Sequence, residues 1–289
     1  MAQNIYDDDG FFAGYSQLPR SAEGLDAAAE WPRMQALLPS LDGARVVDLG
    51  CGFGYFCRWV VQHGAVAALG VDLSQNMLRS AAAATDDERI TYERQDLDAL
   101  ELPAAAYDLA YSSLTMHYLM ELDMFLAEVV ASLVPGGAFV CSVEHPLYTA
   151  PTSPAFVADA TGRVTWPLDR YLDESPRTTD WLAPGVVKQH RTIATYVNAM
   201  IGAGLTLTAI VEWGPPTNRS PTIPSGSSNA SVRRSCCSPP AATEGVPPER
   251  GAGRISVTSL AYDCSMDVTA VCERVAGIAA HDWSLERGQ

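Results

Sequence analysis

The chain has 289 residues, 47% hydrophobic and 18% charged, enough to bury one or two sizeable cores. Its 34 acidic against 19 basic residues leave a net charge of −15, which argues against a nucleic-acid partner. No apolar run approaches the roughly 18 residues of a bilayer span, and the opening MAQNIYDDDG lacks the basic and apolar regions of a signal peptide. Neither a membrane role nor export is expected, and the cytoplasm is the expected location.

Residues 1–44 read as an N-terminal helical cap. An aromatic, acidic opening (Ile5, Tyr6, Asp7, Phe11, Phe12, Tyr15) precedes a helical stretch over 22–38, with Leu25, Ala28, Met34 and Leu38 in an apolar stripe and Pro32 as a break. The core region, 45–145, alternates. Strands are predicted over 45–49, 67–71, 90–94, 107–112 and 138–143, the last after the turn Pro135-Gly136-Gly137. Helices are predicted over 54–63, from the N-cap residue Ser74 to 84, and over 122–133. This rhythm predicts an α/β fold: a doubly wound, mostly parallel sheet covered on both faces.

Residues 146–190 hold many Pro, Asp, Thr and Trp residues and no sustained period, so they read as a lid or substrate insertion. A helix over 191–203, ended by Gly204, and a strand over 205–213 complete the core. Residues 214–289 form an atypical, low-order tail. Eight of the 19 prolines lie between Pro215 and Pro248, and the tail has as many basic as acidic residues, so the first 212 carry the whole net charge. With G/C-rich codons, a one-base shift of reading frame turns 219–225 into a polar segment and 234–240 into an apolar strand; a frameshift is one reading of this tail. The rival reading is a genuine extension in which 255–262 supplies a strand and 268–280 a terminal helix.

The seven cysteines show no C-x-x-C and no Cys/His cluster at zinc spacing, so no metal is expected; Cys51, Cys57 and Cys141 read as reduced core residues.

The chemistry concentrates in Val46-Val47-Asp48-Leu49-Gly50-Cys51-Gly52-Phe53-Gly54, an apolar strand running into a glycine turn. Glycines there let backbone approach a nucleotide-like ligand at the carboxyl end of a central strand. Asp72, 18 residues beyond Gly54, ends the next strand where a carboxylate accepts hydrogen bonds from ribose hydroxyls. The spacing is G-x-G-x-G and not the dinucleotide G-x-G-x-x-G, and Asp48 beside it suits a cationic ligand better than a pyrophosphate.

This segment resembles the first motif of class I S-adenosylmethionine-dependent methyltransferases of the small-molecule branch, and later segments follow in order over about residues 6–213. The resemblance implies that Asp48, Gly50, Cys51, Gly52, Gly54, Asp72, Leu73, Met77, Asp96, Leu97 and Ser112 bind S-adenosyl-L-methionine, with Tyr15 and Arg20 at the rim. Asp72 would hold the ribose and Asp96 would lie near the adenine amino group. Leu133-Val134-Pro135-Gly136-Gly137 looks like the family's turn before its fifth strand. The family's sheet ends in an antiparallel seventh strand, which is doubtful here.

Methyl transfer draws much of its acceleration from positioning. Where a base is needed, His117 after the fourth strand and His145 after the fifth are the candidates. Glu144, His190, Arg191 and Tyr196 are candidate substrate contacts, Glu144 alternatively pairing with Arg191. The aromatic residues Trp166, Tyr171 and Trp181 form either an acceptor pocket or core. The expected activity is methyl transfer to an N, O or C atom of a small molecule. Alternatives are a cofactor-binding regulatory module without turnover and a nicotinamide-dependent oxidoreductase. The oligomeric state is not legible.

Overall fold

Alternation along β1 (Arg45–Leu49) sets the architecture. Val47 and Leu49 face one apolar layer and Val46 the other, so the strand is covered on both sides. The same alternation runs through β2 (Ala67–Asp72), β4 (Tyr107–Ser113) and β5 (Leu133–Ser142), with β3 (Ile90–Arg94) outermost. The computed structural model describes residues 3–212 and the backbone of Ser256–Thr258.

The aromatic opening forms α1 (Asp9–Tyr15), whose Phe11 N–H is capped by the Asp8 carboxylate at 2.8 Å. After α2 (Pro19–Ala22) the chain turns at Gly24, where φ is 80° and a Cβ would lie 2.8 Å from the Tyr55 ring. The helix expected over 22–38 is therefore two pieces, a 3-10 turn at Leu25–Ala27 and α3 (Trp31–Gln35). Pro32 lies in the first turn of α3, where its missing N–H costs nothing, so it opens a helix and does not break one. In the layer behind Val46, α3 and α4 (Tyr55–Gln62) pack Trp31, Met34, Phe56 and Val60. α5 (Gln75–Ala83) is capped by the Ser74 hydroxyl on the Met77 N–H at 3.2 Å. α6 (Leu122–Ser132) sends Phe125, Leu126 and Val129 into the opposite layer.

β5 starts at Leu133 and not at 138. Pairing with β4 passes from Tyr107↔Leu133 to Leu109↔Ala138, so Pro135-Gly136-Gly137 sits in a bulge inside the strand. The insertion begins with α7 (Pro146–Thr149) and holds two antiparallel hairpins, β6 (Val157–Ala158) with β7 (Val164–Thr165) and β8 (Pro176–Thr179) with β9 (Val186–Gln189). Arg177, buried in the second hairpin, donates to the backbone carbonyls of Ala150, Ser175 and Asp173, which ties the insertion into a fixed shape.

α8 (Ile193–Gly202) packs Tyr196 and Met200 against the α6 layer and leads through Gly204, φ 95°, into β10 (Thr206–Ala209), a strand shorter than expected. β11 (Ser256–Thr258) completes a sheet of order β10-β11-β5-β4-β1-β2-β3. The slot of the doubtful seventh strand is thus taken by residues inside the stretch 255–262. β11 runs parallel to both neighbours, not antiparallel, with Ser256 opposite Ala138 and Thr206. A parallel entry needs a long connection, and residues 210–255 supply one. The remaining expectations for 214–289, the frameshift and the helix over 268–280 included, lie outside the described residues.

Candidate active site

The turn after β1 holds Gly50, Gly52 and Gly54 with φ of 85°, 53° and 70°. A Cβ at Gly50 would lie 2.3 Å from Thr115 Oγ1, whereas at Gly52 it would meet nothing, because Gly52 faces open cleft. The turn is strapped to β2. Gly50 and Cys51 N–H groups donate to the Val71 carbonyl at 2.8 and 3.0 Å. The Gly52 N–H donates to Asp72 Oδ2 at 2.9 Å, and the Ser74 N–H donates to Oδ1 at 2.8 Å.

Two cavities meet over this turn, sharing Tyr15, Arg20, Gly50, Gly52 and Ser113 in their walls. One runs past Asp72, Leu73 and Met77 to Asp96 and Leu97, and is roofed by Asn4 and Tyr6. Its wall contains Asn4, whose Oδ1 is buried without a hydrogen-bond partner. The other cavity holds Asp48, Glu30 and Tyr111, with Ser21 Oγ likewise buried and unpartnered. Arg20 pairs with Glu30 at 2.8 Å where the cavities join.

The donor set fits an adenosine-bearing sulfonium with an amino-acid end. Asp72 keeps lone pairs for two ribose hydroxyls after accepting its two backbone N–H groups, and Asn4 Oδ1 offers an acceptor on the same side. Asp48 offers an ammonium a carboxylate, and Arg20 offers a carboxylate a guanidinium. Burial pushes Asp48 up to about 8, against the lowering effect of the Cys57 thiol and with a further rise from Asp72. Burial also raises Asp72, opposed by the N–H bonds from Ser74 and Gly52. Bringing a cation against either carboxylate relieves that cost.

Of the expected cofactor residues, Asp48, Gly50, Cys51, Gly52, Asp72, Leu73, Met77, Asp96, Leu97, Tyr15 and Arg20 all line these cavities. Two do not. Gly54 is the N-cap of α4, tight against Tyr92. Ser112 is fully buried and donates to the Leu49 carbonyl at 2.9 Å; its neighbour Ser113, on the other side of the strand, lines both cavities.

The two histidines expected to act as bases lie off both cavities. His117 Nδ1 accepts the Glu144 N–H at 3.3 Å, and its Nε2 is 3.9 Å from Glu144 Oε2. His145 caps α7 through Nδ1 on the Leu147 N–H at 2.8 Å, and burial pushes it down to about 3. Three expected substrate contacts have structural partners instead. His190 spends both ring nitrogens, on Thr149 Oγ1 and the Tyr171 carbonyl, each at 2.8 Å. Arg191 donates to the Leu119 carbonyl at 2.6 Å and lies over the ring of the buried Tyr196. Glu144 pairs with Lys188 at 2.5 Å, not with Arg191. Trp181 packs edge-on against Phe11 and Tyr15, while Trp166 packs on Tyr148 and Phe156, away from the cavities.

Sequence reasoning missed Asn4, Tyr6 and Tyr118 as lining residues. Asp7 and Tyr118 carried the available signals: an acid free to cap a distant helix, and an aromatic beside a buried histidine.

The fold and the carboxylates at both ends of the cleft define a Rossmann-like transferase domain for a cationic nucleoside cofactor. A methyltransferase-domain family model matches residues 47–141. An S-adenosylmethionine-dependent methyltransferase of Mesorhizobium loti of known structure is 57% identical, covering 63% of this chain and 84% of its own, with a TM-score of 0.61. The trans-aconitate 2-methyltransferase of Azoarcus sp. is 32% identical over 196 residues, 65% of this chain and 73% of its own. The malonyl-[acyl-carrier protein] O-methyltransferase of Pectobacterium atrosepticum is 37% identical over 106 residues, covering 36% and 40%. The chain belongs to the class I S-adenosylmethionine-dependent methyltransferases. It is an enzyme of that class, its cofactor is S-adenosylmethionine, and the nicotinamide and non-catalytic alternatives give way. Among the described residues no helix is long and apolar enough to cross a membrane.

Proposed function

We propose that the protein methylates a small-molecule acceptor and that the two cavities hold the two ends of the methyl donor. The observation that carries this reading is their junction at Gly50 and Gly52, with Asp72 and Asp96 along one arm and Asp48 with Arg20 along the other. S-adenosylmethionine supplies an electrophilic methyl on a sulfonium. Asp72 takes the ribose, Asp48 the ammonium and Arg20 the carboxylate.

Two segments exclude water from the junction. The Gln3 side chain bridges to the insertion, its Nε2 donating to the Gly185 carbonyl and its Oε1 accepting the Val187 N–H, each at 2.9 Å. Asp7 ties the same segment to α5 through Ser74 and Asn76. Alignment in a dry site supplies the acceleration, so His117 and His145 serve as packing and capping groups. A closed cleft of this size favours a metabolite over a polymer. The relative acting on trans-aconitate points the same way.

The test incubates the full chain with labelled S-adenosylmethionine and a bacterial metabolite extract. Label is expected in low-molecular-weight products; label in macromolecules alone overturns the small-molecule reading.

A further inference from the structure

One wall of the cavity containing Asp72 is built from Tyr6, Tyr15 and Tyr118. Tyr6 meets Tyr15 and Tyr118 edge-on at 5.0 and 6.4 Å between ring centroids, and the Tyr6 and Tyr118 hydroxyls are hydrogen-bonded to each other. Behind it stands Lys188, the only lysine in the chain and nearly buried. Its ammonium lies 5.3 Å from the Trp181 ring centroid, and Trp181 itself packs on Tyr15 at 6.0 Å. His117 stacks beside Tyr118 at 4.4 Å.

The charge around this wall is positive. Lys188, Arg191 and Arg20 all act on His117, while the carboxylates paired there are Glu144 with Lys188 and Glu30 with Arg20. In a chain of net charge −15 such a concentration of cations marks a place for an anion. The wall also offers no base for neutral pH. Burial first, then those three cations, push His117 down, and burial pushes Tyr6 and Tyr118 up. The nucleophile must therefore arrive with its lone pair already available.

We infer that this wall receives the acceptor, that the acceptor presents a carboxylate oxygen, and that Tyr118, with Lys188 behind it, orients that oxygen toward the methyl group. The inference rests on the proposed small-molecule methyl transfer and names its substrate class. Tyr118 donates its hydroxyl hydrogen to one carboxylate oxygen while the other attacks. The new C–O bond forms as the C–S bond breaks, and that bonding pair stays on sulfur. The negative carboxylate and positive sulfonium become a neutral ester and a neutral thioether, and no proton changes hands.

The experiment takes the labelled products of the full chain on a metabolite extract and treats them with dilute alkali. A methyl ester gives up its label as methanol, whereas an N- or C-methyl group keeps it. Alkali-labile label is expected; alkali-stable label overturns this inference alone. No label in small molecules, with S-adenosylmethionine still bound by calorimetry, overturns the small-molecule reading and this inference together. The variants Tyr118→Phe and Lys188→Met are expected to raise the apparent KM for the purified acceptor at least tenfold, with less than threefold change in cofactor affinity. Lys188→Arg is expected to restore most of the loss. Unchanged KM in a folded Tyr118→Phe protein overturns the assignment of the wall.

Discussion

Gly52 and Asp72, 20 residues apart in sequence, are joined by a 2.9 Å hydrogen bond from the glycine N–H to the carboxylate. The ribose-binding acid therefore also fixes the glycine turn. Its other oxygen accepts the Ser74 N–H, so both oxygens face backbone donors. In Asp72→Asn one of those donors would meet an amide N–H₂. The variant is expected to lose about 1–3 kcal/mol of stability and, with a charge-assisted bond to ribose weakened, about ten- to hundredfold in S-adenosylmethionine affinity. Denaturant melts and calorimetry read the two losses separately.

Gly50 and Gly52 separate fold from binding. Gly50→Ala places a methyl 2.3 Å from Thr115 Oγ1 at φ 85°, so it is expected to destabilise the chain by several times the ~1–2 kcal/mol of left-handed strain alone. Gly52→Ala has that strain but no clash, and its methyl enters the cleft. It is expected to melt within a few degrees of wild type yet lose S-adenosylmethionine binding by more than tenfold. Equal loss of stability in both variants would contradict the geometry.

Asp48 gives a pH dependence of definite sign. Its folded pKa of about 8 stands above the ordinary value of 3.8. Between those values the unfolded chain ionises this group and the folded chain keeps it protonated, so its contribution to stability falls as pH rises from 4 to 8. Asp48→Asn removes that penalty and is expected to melt higher than wild type at pH 8, with the gap closing toward pH 4. An ammonium placed against Asp48 favours its ionised form, so S-adenosylmethionine binding at pH 7 is expected to release a proton. Calorimetry in buffers of different ionisation enthalpy measures that release, and it should vanish in the variant.

The sheet was legible because each strand from Arg45 to Val143 is a short apolar run bounded by glycines, acids or a cap, which tertiary packing had no reason to overrule. Where the sequence misled, a local signal was ambiguous. Pro32 is equally suited to stopping a helix and to starting one. Ser112 and Ser113 differ by one step of a two-residue period, and the chain alone does not say which faces the cleft. His117 and His145 look like bases by type and place, but only the structure shows their ring nitrogens spent on backbone N–H groups of Glu144 and Leu147. The aromatic wall joins Tyr6, Tyr118 and Lys188 from three distant segments, a proximity that no local pattern encodes.

Asp7 holds the roof of the site. Its Oδ1 accepts from the Ser74 hydroxyl at 2.7 Å and the Asn76 N–H at 3.0 Å, and its Oδ2 accepts from Asn4 Nδ2 at 2.7 Å, with Arg94 3.7 Å away. Burial alone would raise this carboxyl, but the bonds from Ser74, Asn76, Asn4 and Gln75 outweigh it and bring it down to about 2. A depressed acid stabilises the docked segment above its ordinary value of 3.8, and that contribution is lost as pH falls through about 2. At neutral pH Asp7→Ala is therefore expected to undock residues 3–8 while sparing the sheet. Amide exchange over 3–8 should rise at least tenfold, dissociation of S-adenosylmethionine should speed up by a similar factor, and exchange in β1 and β4 should stay unchanged. Asp7→Asn keeps one acceptor for Ser74 and should fall between the two. An undocked segment with unaltered cofactor dissociation would mean that Asn4 and Tyr6 roof the cavity without holding its contents.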